Sequence, residues 1–110
     1  NKELKNLPVK LPWQDSKTYT SFHLYVIRLK LNEIDISHEE FFTKMRKAEI
    51  LVNLHYIPVY FHPYYRRLGF KKGYCEEAEK YYSDAVSIPM FPTLKDEDQM
   101  KVIKTIKSII

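Results

Sequence analysis

The sequence predicts an α+β fold, in which a short antiparallel sheet has helices packed on one of its faces. Three observations predict it: a strand-like run at residues 21–30, a helix-start signal at Ser37, and strand and helix signals that alternate along the 110 residues. Short strands that alternate with helices form a layered domain around one core. Because 45% of the residues are apolar, the chain can bury such a core, and its length fits one domain.

The clearest strand is the run SFHLYVIRLK at residues 21–30. Successive side chains of a strand point to opposite faces, so one face carries Phe22, Leu24 and Val26, and the other carries His23, Tyr25, Ile27 and Leu29. Both faces are largely apolar, which predicts a central strand with one of its covers supplied from outside the chain. An extended segment at residues 9–13 precedes it, and Pro12 restricts that segment to a sheet edge.

The helix-start signal is a capping box, in which Ser37 is followed by Glu40. Each of these side chains satisfies a free backbone N–H group at the start of a helix, and we expect the helix to end near Glu49. A second strand is expected at residues 52–56. It stops at Ile57, because the residue before a proline disfavours regular continuation.

The second half of the chain predicts two more helices with a strand between them. Residues 57–74 carry few regular signals and many aromatic rings. A helix is expected from Cys75, with Ala78, one of Tyr81 and Tyr82, and Ala85 facing inward. A short buried strand follows at residues 86–90. The last helix covers residues 96–110, and its apolar stripe consists of Met100, Ile103, Ile106 and Ile110.

Composition excludes several broad classes of protein. The net charge of +4, from 18 basic and 14 acidic residues, is spread along the chain and is typical of a solvated surface rather than a nucleic-acid footprint. The single cysteine, Cys75, cannot form a disulfide within the chain, which favours a reduced, cytoplasmic setting, and we expect it to be a small buried residue. No apolar run approaches the roughly 20 residues of a membrane span.

The titratable residues give little sign of catalysis or metal binding. No pair among the four histidines has the i, i+4 spacing of a helical zinc site, so no metal ligands are expected, and His38 is expected to be exposed. Cys75 lies at a predicted helix start, but the sequence identifies no base that would activate it.

Two surface features suggest binding. Residues 60–67 mix aromatic rings with Arg66 and Arg67, a combination that single-strand nucleic-acid binders use, although no motif of a known RNA-binding fold surrounds it. A small single-stranded nucleic-acid-binding module is therefore the alternative function. Separately, polar residues sit on apolar strands (Asn53, His55 and Tyr56 on one, His23 and Tyr25 on the other), which suits the wall of a pocket shared with another domain.

Several motifs occur in one order over nearly the whole chain. They are SFHLYVIRL at 21–29, VNLHYIPV at 52–59, HPYYR and LGF within 62–70, AEKYY at 78–82, SIPMFP at 87–92, and DEDQ with VI within 96–103. Together they resemble the C-terminal domain of the DegT/DnrJ/StrS family of pyridoxal-phosphate-dependent sugar aminotransferases. The HYIPV segment is most similar to the branch that aminates UDP-linked 4-keto-6-deoxy-N-acetylhexosamines, to which the transaminase of pseudaminic acid synthesis belongs.

The resemblance implies a fold-type-I enzyme, normally a homodimer, that uses glutamate as amino donor and serves surface polysaccharide or glycan synthesis. In that family a large N-terminal domain binds pyridoxal 5'-phosphate and carries the lysine that forms a Schiff base with it. Residues 1–110 correspond to the C-terminal small domain alone, so no catalytic or cofactor-binding residue is expected among them, and the chain by itself is expected to be inactive.

The resemblance also assigns a role to this domain, which closes one side of the active-site cleft. His55 and Tyr56 match the motif nearest the active site and are the first candidates for contact with the nucleotide sugar, followed by Asn53 and His23. Two departures stand out. Lys95 replaces the usual Thr or Ser cap of the last helix, and Tyr60-Phe61 replaces a more polar pair, which puts in doubt a substrate contact at position 60.

Overall fold

The core of the domain is a four-stranded antiparallel sheet, as a computed structural model of residues 1–110 shows. Its strands are β1 (Val9–Lys10), β2 (Tyr25–Leu29), β3 (Asn53–Leu54) and β4 (Ala85–Ile88). Their spatial order is β1-β2-β4-β3, and each neighbouring pair is antiparallel. The predicted α+β class and short antiparallel sheet are confirmed, with β2 central and β1 at an edge.

Four α-helices connect and cover the strands: α1 (His38–Lys47), α2 (Pro63–Arg67), α3 (Glu76–Asp84) and α4 (Asp96–Ile109). The interval at residues 57–74, predicted to be irregular, contains a 3₁₀ turn and the short helix α2. Pro63 is the first residue of α2, where its missing N–H group costs no hydrogen bond. No helix of the chain combines the length and apolar character that crossing a membrane requires.

One face of the sheet builds the hydrophobic core with α1 and α4. The register pairs Ile27 with Val86 and Val9 with Leu29, and all four side chains are buried. The helices contribute the other large buried groups, which are Phe41 and Met45 from α1, and Val102, Ile103 and Ile106 from α4. Removing this apolar surface from water supplies the main driving force for folding.

The opposite side of the sheet, called here the second face, is more polar than predicted. It carries Val26 and Arg28 from β2, Ala85 and Ser87 from β4, and Asn53 from β3, as the register requires. Helix α3 approaches one end of this face, where Asp84 bonds to Arg28. Thus α1 and α4 pack on one face as predicted, while α3 lies against part of the other.

Strand β2 is shorter than the predicted run at residues 21–30. Phe22 has φ +42°, which lies outside the extended region, and its N–H group donates to Thr20 Oγ1 at 3.2 Å. The chain therefore bends before β2, and ladder pairing with β4 begins at Tyr25. His23 and Leu24 consequently precede the strand and are exposed.

Four sequence expectations need correction or refinement. Cys75 is exposed because it is the N-cap of α3, outside the buried stretch. His38 is half-buried, since its Nε2 lies 3.1 Å from the carbonyl oxygen of Ala85. Met100 is 39% exposed, because the buried stripe of α4 is centred between Val102 and Ile106. Finally, α3 ends at Asp84, so Ala85 belongs to β4.

The capping box of α1 is present and can be tested directly. The Glu40 N–H group donates to Ser37 Oγ at 3.1 Å, and the Ser37 N–H group donates to Glu40 Oε2 at 2.8 Å. We expect Ser37→Ala to lower the free energy of unfolding by about 1 kcal/mol, measured by urea denaturation. The matched control Ser21→Ala, at an exposed position outside any helix, should change it by less than about 0.5 kcal/mol. Equal effects would contradict a capping role for Ser37.

At the start of α4, the predicted weakness of the cap is confirmed. Lys95 is the N-cap residue and makes no side-chain hydrogen bond there. Three acidic residues in the first turn, Asp96, Glu97 and Asp98, favour the positive end of the helix dipole and compensate in part.

Candidate functional site

The candidate site surrounds His55, which lies one residue beyond β3. The register pairs Asn53 with Ser87 and Leu54 with Val86, so His55 continues the strand opposite Ala85. Alternation of side chains then places its ring on the second face, together with Asn53. Despite its position at a sheet edge, His55 is only 7% exposed.

The imidazole of His55 contacts two aromatic rings. Its centroid lies 5.7 Å from that of Tyr56 and 6.2 Å from that of Tyr81, in edge-to-face geometry. Its Nε2 atom is buried and has no hydrogen-bond partner within the chain. Most buried polar atoms in proteins are partnered, so this nitrogen is a candidate contact for a ligand or for another domain.

A charged pair lies behind Tyr81. Arg28 donates from Nε to Asp84 Oδ1 at 2.7 Å and from Nη2 to Oδ2 at 2.9 Å, which is the bidentate geometry of strong arginine–carboxylate pairs. The Arg28 Cζ atom is 5.3 Å from the Tyr81 ring centroid, within the range of a cation–π contact. The hydrogen bonds to Asp84 also raise the pKa of Arg28.

Arg28, Tyr81 and Asp84 were not predicted as part of the site. Arg28 is the single charged residue of β2, and a charge within an otherwise apolar strand was the available signal. Tyr81 was expected only as one of two alternatives for packing. Asp84 carried no signal, because its partner lies 56 residues away in the sequence.

Of the four predicted site residues, three lie together. Asn53, His55 and Tyr56 follow one another along the β3 edge; Asn53 is exposed and Tyr56 is 81% exposed. The backbone carbonyl of Asn53 accepts a hydrogen bond from Ser87 Oγ at 3.4 Å. Exposed apolar residues flank this edge, namely Leu51, Leu54, Ile57 and Val59. A polar group within an apolar margin is typical of a surface that closes a pocket.

The fourth predicted residue, His23, lies elsewhere. It precedes β2 by two residues, whereas His55 lies beside the far end of that strand, near Arg28 and Ala85. His23 instead lines a groove of about 610 Å³ together with Trp13, Arg28 and Tyr81, so Tyr81 borders both the groove and His55.

The aromatic rings of residues 60–74 pack on one another. Consecutive edge-to-face contacts have centroid distances of 4.9 to 6.1 Å, and they join Tyr60, Phe61, Tyr64, Tyr65, Phe70 and Tyr74. Tyr60 also donates to Glu79 at 2.9 Å, which ties this segment to α3. The contacts give these rings a structural role within the domain.

Burial has a consequence for the charge of His55. Loss of hydration disfavours the imidazolium and lowers the pKa of His55. The ordinary histidine pKa of about 6.5 holds in the unfolded chain. Because the pKa is lower in the folded state, the unfolded chain binds more protons than the folded one once the pH falls below about 6.5. Stability that is present above that pH is therefore lost as pH falls through the folded-state pKa.

We expect the free energy of unfolding to decline below about pH 6.5, with a contribution from His55 of at most about 1.4 kcal/mol per pH unit. In His55→Gln this contribution should vanish, whereas the exposed-site control His62→Gln should retain the wild-type slope. Denaturant titrations at several pH values between about 7.5 and 5, a range that includes the ordinary histidine pKa of about 6.5, measure this slope. Identical slopes in the wild type and His55→Gln would contradict the burial argument.

Comparison with known proteins identifies the domain. The profile of the DegT/DnrJ/EryC1/StrS aminotransferase family matches residues 1–107. The chain belongs to this family. It spans only 24% to 29% of the length of the curated relatives it matches. One of these is the spore coat polysaccharide biosynthesis protein SpsC of Bacillus subtilis, 30% identical over 82% of this chain and 24% of its own length.

Solved structures of sugar aminotransferases share the fold. The pyridoxal-phosphate form of Spr1654 from Streptococcus pneumoniae, described as a proposed sugar aminotransferase, superposes with a TM-score of 0.83 at 25% identity, over 98% of this chain and 28% of that one. Helicobacter pylori PseC, an aminotransferase involved in pseudoaminic acid biosynthesis, gives a TM-score of 0.82 at 22% identity, over 98% and 29%. In both, this DegT-family domain matches a small part of a longer chain.

The residues of this DegT-family domain do not themselves fit a pyridoxal phosphate site. The lysine that carries this cofactor must be shielded from water to react as an amine. Here every lysine is exposed except Lys30, which is half-buried and lies 3.2 Å from Glu33. The four histidines, the cysteine and the acidic residues also form no group of three that could hold a metal ion.

Proposed function

We propose that residues 1–110 are the C-terminal small domain of an enzyme that transfers an amino group from glutamate to a nucleotide-linked 4-keto-6-deoxy sugar. A large N-terminal domain of the same protein binds pyridoxal 5'-phosphate and supplies the reactive lysine. The intact enzyme is a cytoplasmic homodimer, and the small domain alone is inactive. Membership of the DegT family and the short span of the chain relative to its relatives support this division.

The observation that carries the proposal is the buried, unpartnered Nε2 of His55 beside the exposed ring of Tyr56. A neutral imidazole both donates and accepts through its two nitrogens, and burial keeps His55 neutral by lowering its pKa. In the proposed cleft, a turn of the exposed Tyr56 side chain opens Nε2, which then hydrogen-bonds to an oxygen of the nucleotide sugar. Leaving such a buried atom unpaired in the complex would cost about 1–3 kcal/mol, so the contact favours a sugar with oxygen at that position.

The neighbouring residues have complementary roles. Tyr56 is 81% exposed, and its ring and hydroxyl are available to pack against the sugar and to bond to it. Asn53, on the same face, adds an amide that donates and accepts. His23 is a weaker candidate because it precedes β2 by two residues, whereas His55 lies beside the other end of that strand, and a contact at His23 requires a ligand or domain that extends over the groove beside Trp13.

The proposed substrate of the intact enzyme is a UDP-linked 4-keto-6-deoxy-N-acetylhexosamine. The HYIPV segment at residues 55–59 resembles the enzymes that aminate UDP-linked 4-keto-6-deoxy-N-acetylhexosamines, and PseC, which acts in pseudoaminic acid biosynthesis, shares the fold. SpsC, a relative in spore coat polysaccharide biosynthesis, supports a product that enters a surface polysaccharide or glycan.

The test uses the full-length gene product with glutamate and a UDP-linked 4-keto-6-deoxy-N-acetylhexosamine. We expect His55→Gln to lower kcat/KM by about 10- to 100-fold, which corresponds to one lost hydrogen bond in a desolvated site. The melting temperature should change little, and the exposed-site control His62→Gln should have wild-type activity. Normal turnover in His55→Gln would overturn the assignment of this site, and a full-length protein that neither binds pyridoxal phosphate nor aminates any keto-sugar would overturn the function.

A further inference from the structure

The Arg28–Asp84 pair differs from the other ion pairs of the domain. Those other pairs, Lys30–Glu33, Lys101–Glu49 and Lys107–Glu3, have side chains that are between 35% and 89% exposed. The side chains of Arg28 and Asp84 are only 23% and 12% exposed. A largely desolvated pair is costly to form and adds little to stability compared with apolar residues of the same volume, so its presence calls for another reason.

Geometry connects this pair to His55 through one intervening ring. Tyr81 and Asp84 are three residues apart on α3 and therefore share a helix face. The guanidinium of Arg28 engages both, because its edge bonds to the carboxylate and its Cζ lies 5.3 Å from the Tyr81 centroid. Only arginine combines a flat face with a two-pronged donor edge, so lysine could not make both contacts.

The sheet determines the face on which His55 lies but not the rotation of its ring, which depends on this packing. β3 ends at Leu54, so the ladder pairing with β4 stops one residue before His55. Two aromatic rings contact the imidazole, those of Tyr56 at 5.7 Å and Tyr81 at 6.2 Å. Tyr56 is 81% exposed, whereas Tyr81 is 38% exposed and is held by helix α3 and by the guanidinium of Arg28.

We propose that Arg28 and Asp84 are positioning residues of the site, which hold Tyr81 against His55 and so keep the His55 ring buried with Nε2 free to accept or donate. The role of the positioned atom in sugar binding rests on the proposed function. The positioning itself does not, because it concerns contacts within the domain.

The test compares variants that break the positioning in different ways within the full-length protein. Arg28→Met with Asp84→Leu removes both charges and preserves volume, so the fold is retained. Arg28→Lys keeps the cation but loses the two-pronged contact and the stacking. Tyr81→Ala keeps the ion pair and removes the ring. The matched control is the double change Lys30→Met with Glu33→Leu, which removes an exposed pair that does not contact the site.

Two readouts separate positioning from a purely structural role. The first is the NMR titration of the full-length protein with isotope-labelled histidine, in which the His55 signal is identified by its loss in His55→Gln. The rings in contact with His55 are Tyr56 and Tyr81, and the Arg28 cation that stacks on Tyr81 has Asp84 and Glu77 as its charged neighbours. The second readout is kcat/KM for the nucleotide sugar, compared with the melting temperature.

We expect the His55 pKa to rise toward its ordinary value in Tyr81→Ala and in Arg28→Lys. Both variants keep a cation at position 28, so the rise in the His55 pKa would come from increased access of water to the imidazole. We expect kcat/KM to fall about tenfold in these variants and in the double apolar variant, while the control matches the wild type. An unchanged His55 pKa in the folded double variant and in Tyr81→Ala would overturn the proposal. If the His55 pKa rises in these variants but His55→Gln is fully active, the positioning is supported and the proposed function of the site is refuted.

Discussion

Replacing Phe41 with alanine is expected to lower the free energy of unfolding by about 3–5 kcal/mol. Phe41 is completely buried and is the largest fully buried side chain of the domain. It joins α1 to the sheet and to α4 within one continuous cluster. Truncation removes the transfer free energy of a phenyl ring and leaves a cavity, because the surrounding helices and strands relax only in part.

Urea denaturation followed by far-UV circular dichroism measures this effect. The matched control is Phe91→Ala, since Phe91 is 51% exposed and its truncation leaves no closed cavity; we expect a loss below about 1 kcal/mol. Domains of this size have a total stability of about 5–15 kcal/mol, so the Phe41 variant should lose a substantial fraction of it and unfold at a clearly lower urea concentration than the wild type. A loss in Phe41→Ala no larger than that in the control would show that α1 does not anchor the core.

The features of the fold that local sequence determines were predictable. The Ser37 and Glu40 capping box depends on residues three positions apart, and it forms at the expected place. The alternating pattern at residues 21–30 identified β2 and its central position. The pattern failed at its start, because the left-handed backbone of Phe22 bends the chain before β2 begins at Tyr25. Alternation of apolar residues carries no information about such a bend.

The candidate site was predictable only where its residues are neighbours in the chain. Asn53, His55 and Tyr56 lie on one short segment, so any structure that exposes its edge brings them together. Arg28 and Asp84 meet because β2 pairs with β4 and α3 leads directly into β4. Such a contact follows from the pairing of strands that are far apart in the sequence, which no local pattern of residues specifies.

The same distinction explains why His23 was grouped with His55. Both are polar residues on apolar strands, and sequence reasoning treated them as parts of one wall. The register instead places them at opposite ends of β2, since Arg28 pairs with Ala85 and His23 lies five residues earlier. The direction of a strand relative to its neighbours, rather than the character of its residues, decides which of them can share a ligand.

Replacing Asp84 alone with alanine is expected to lower the free energy of unfolding by about 3–5 kcal/mol, a loss comparable to that in Phe41→Ala. The change leaves Arg28 largely buried, since its side chain is only 23% exposed, and without its carboxylate partner. The cost comes mainly from this uncompensated charge rather than from the lost attraction. The matched control is Glu33→Ala, which breaks an exposed pair and should cost less than about 1 kcal/mol.

A double variant that removes both charges separates the two origins of this cost. If the unpaired cation is responsible, combining Arg28→Met with Asp84→Leu should restore stability to within about 1 kcal/mol of the wild type, because both charges are gone and the volume is kept. If the double variant is instead as unstable as Asp84→Ala, the pair itself contributes net stability, and the desolvation argument is wrong. Recovery of stability without recovery of kcat/KM would mean that this pair is maintained for the geometry around His55 rather than for the fold.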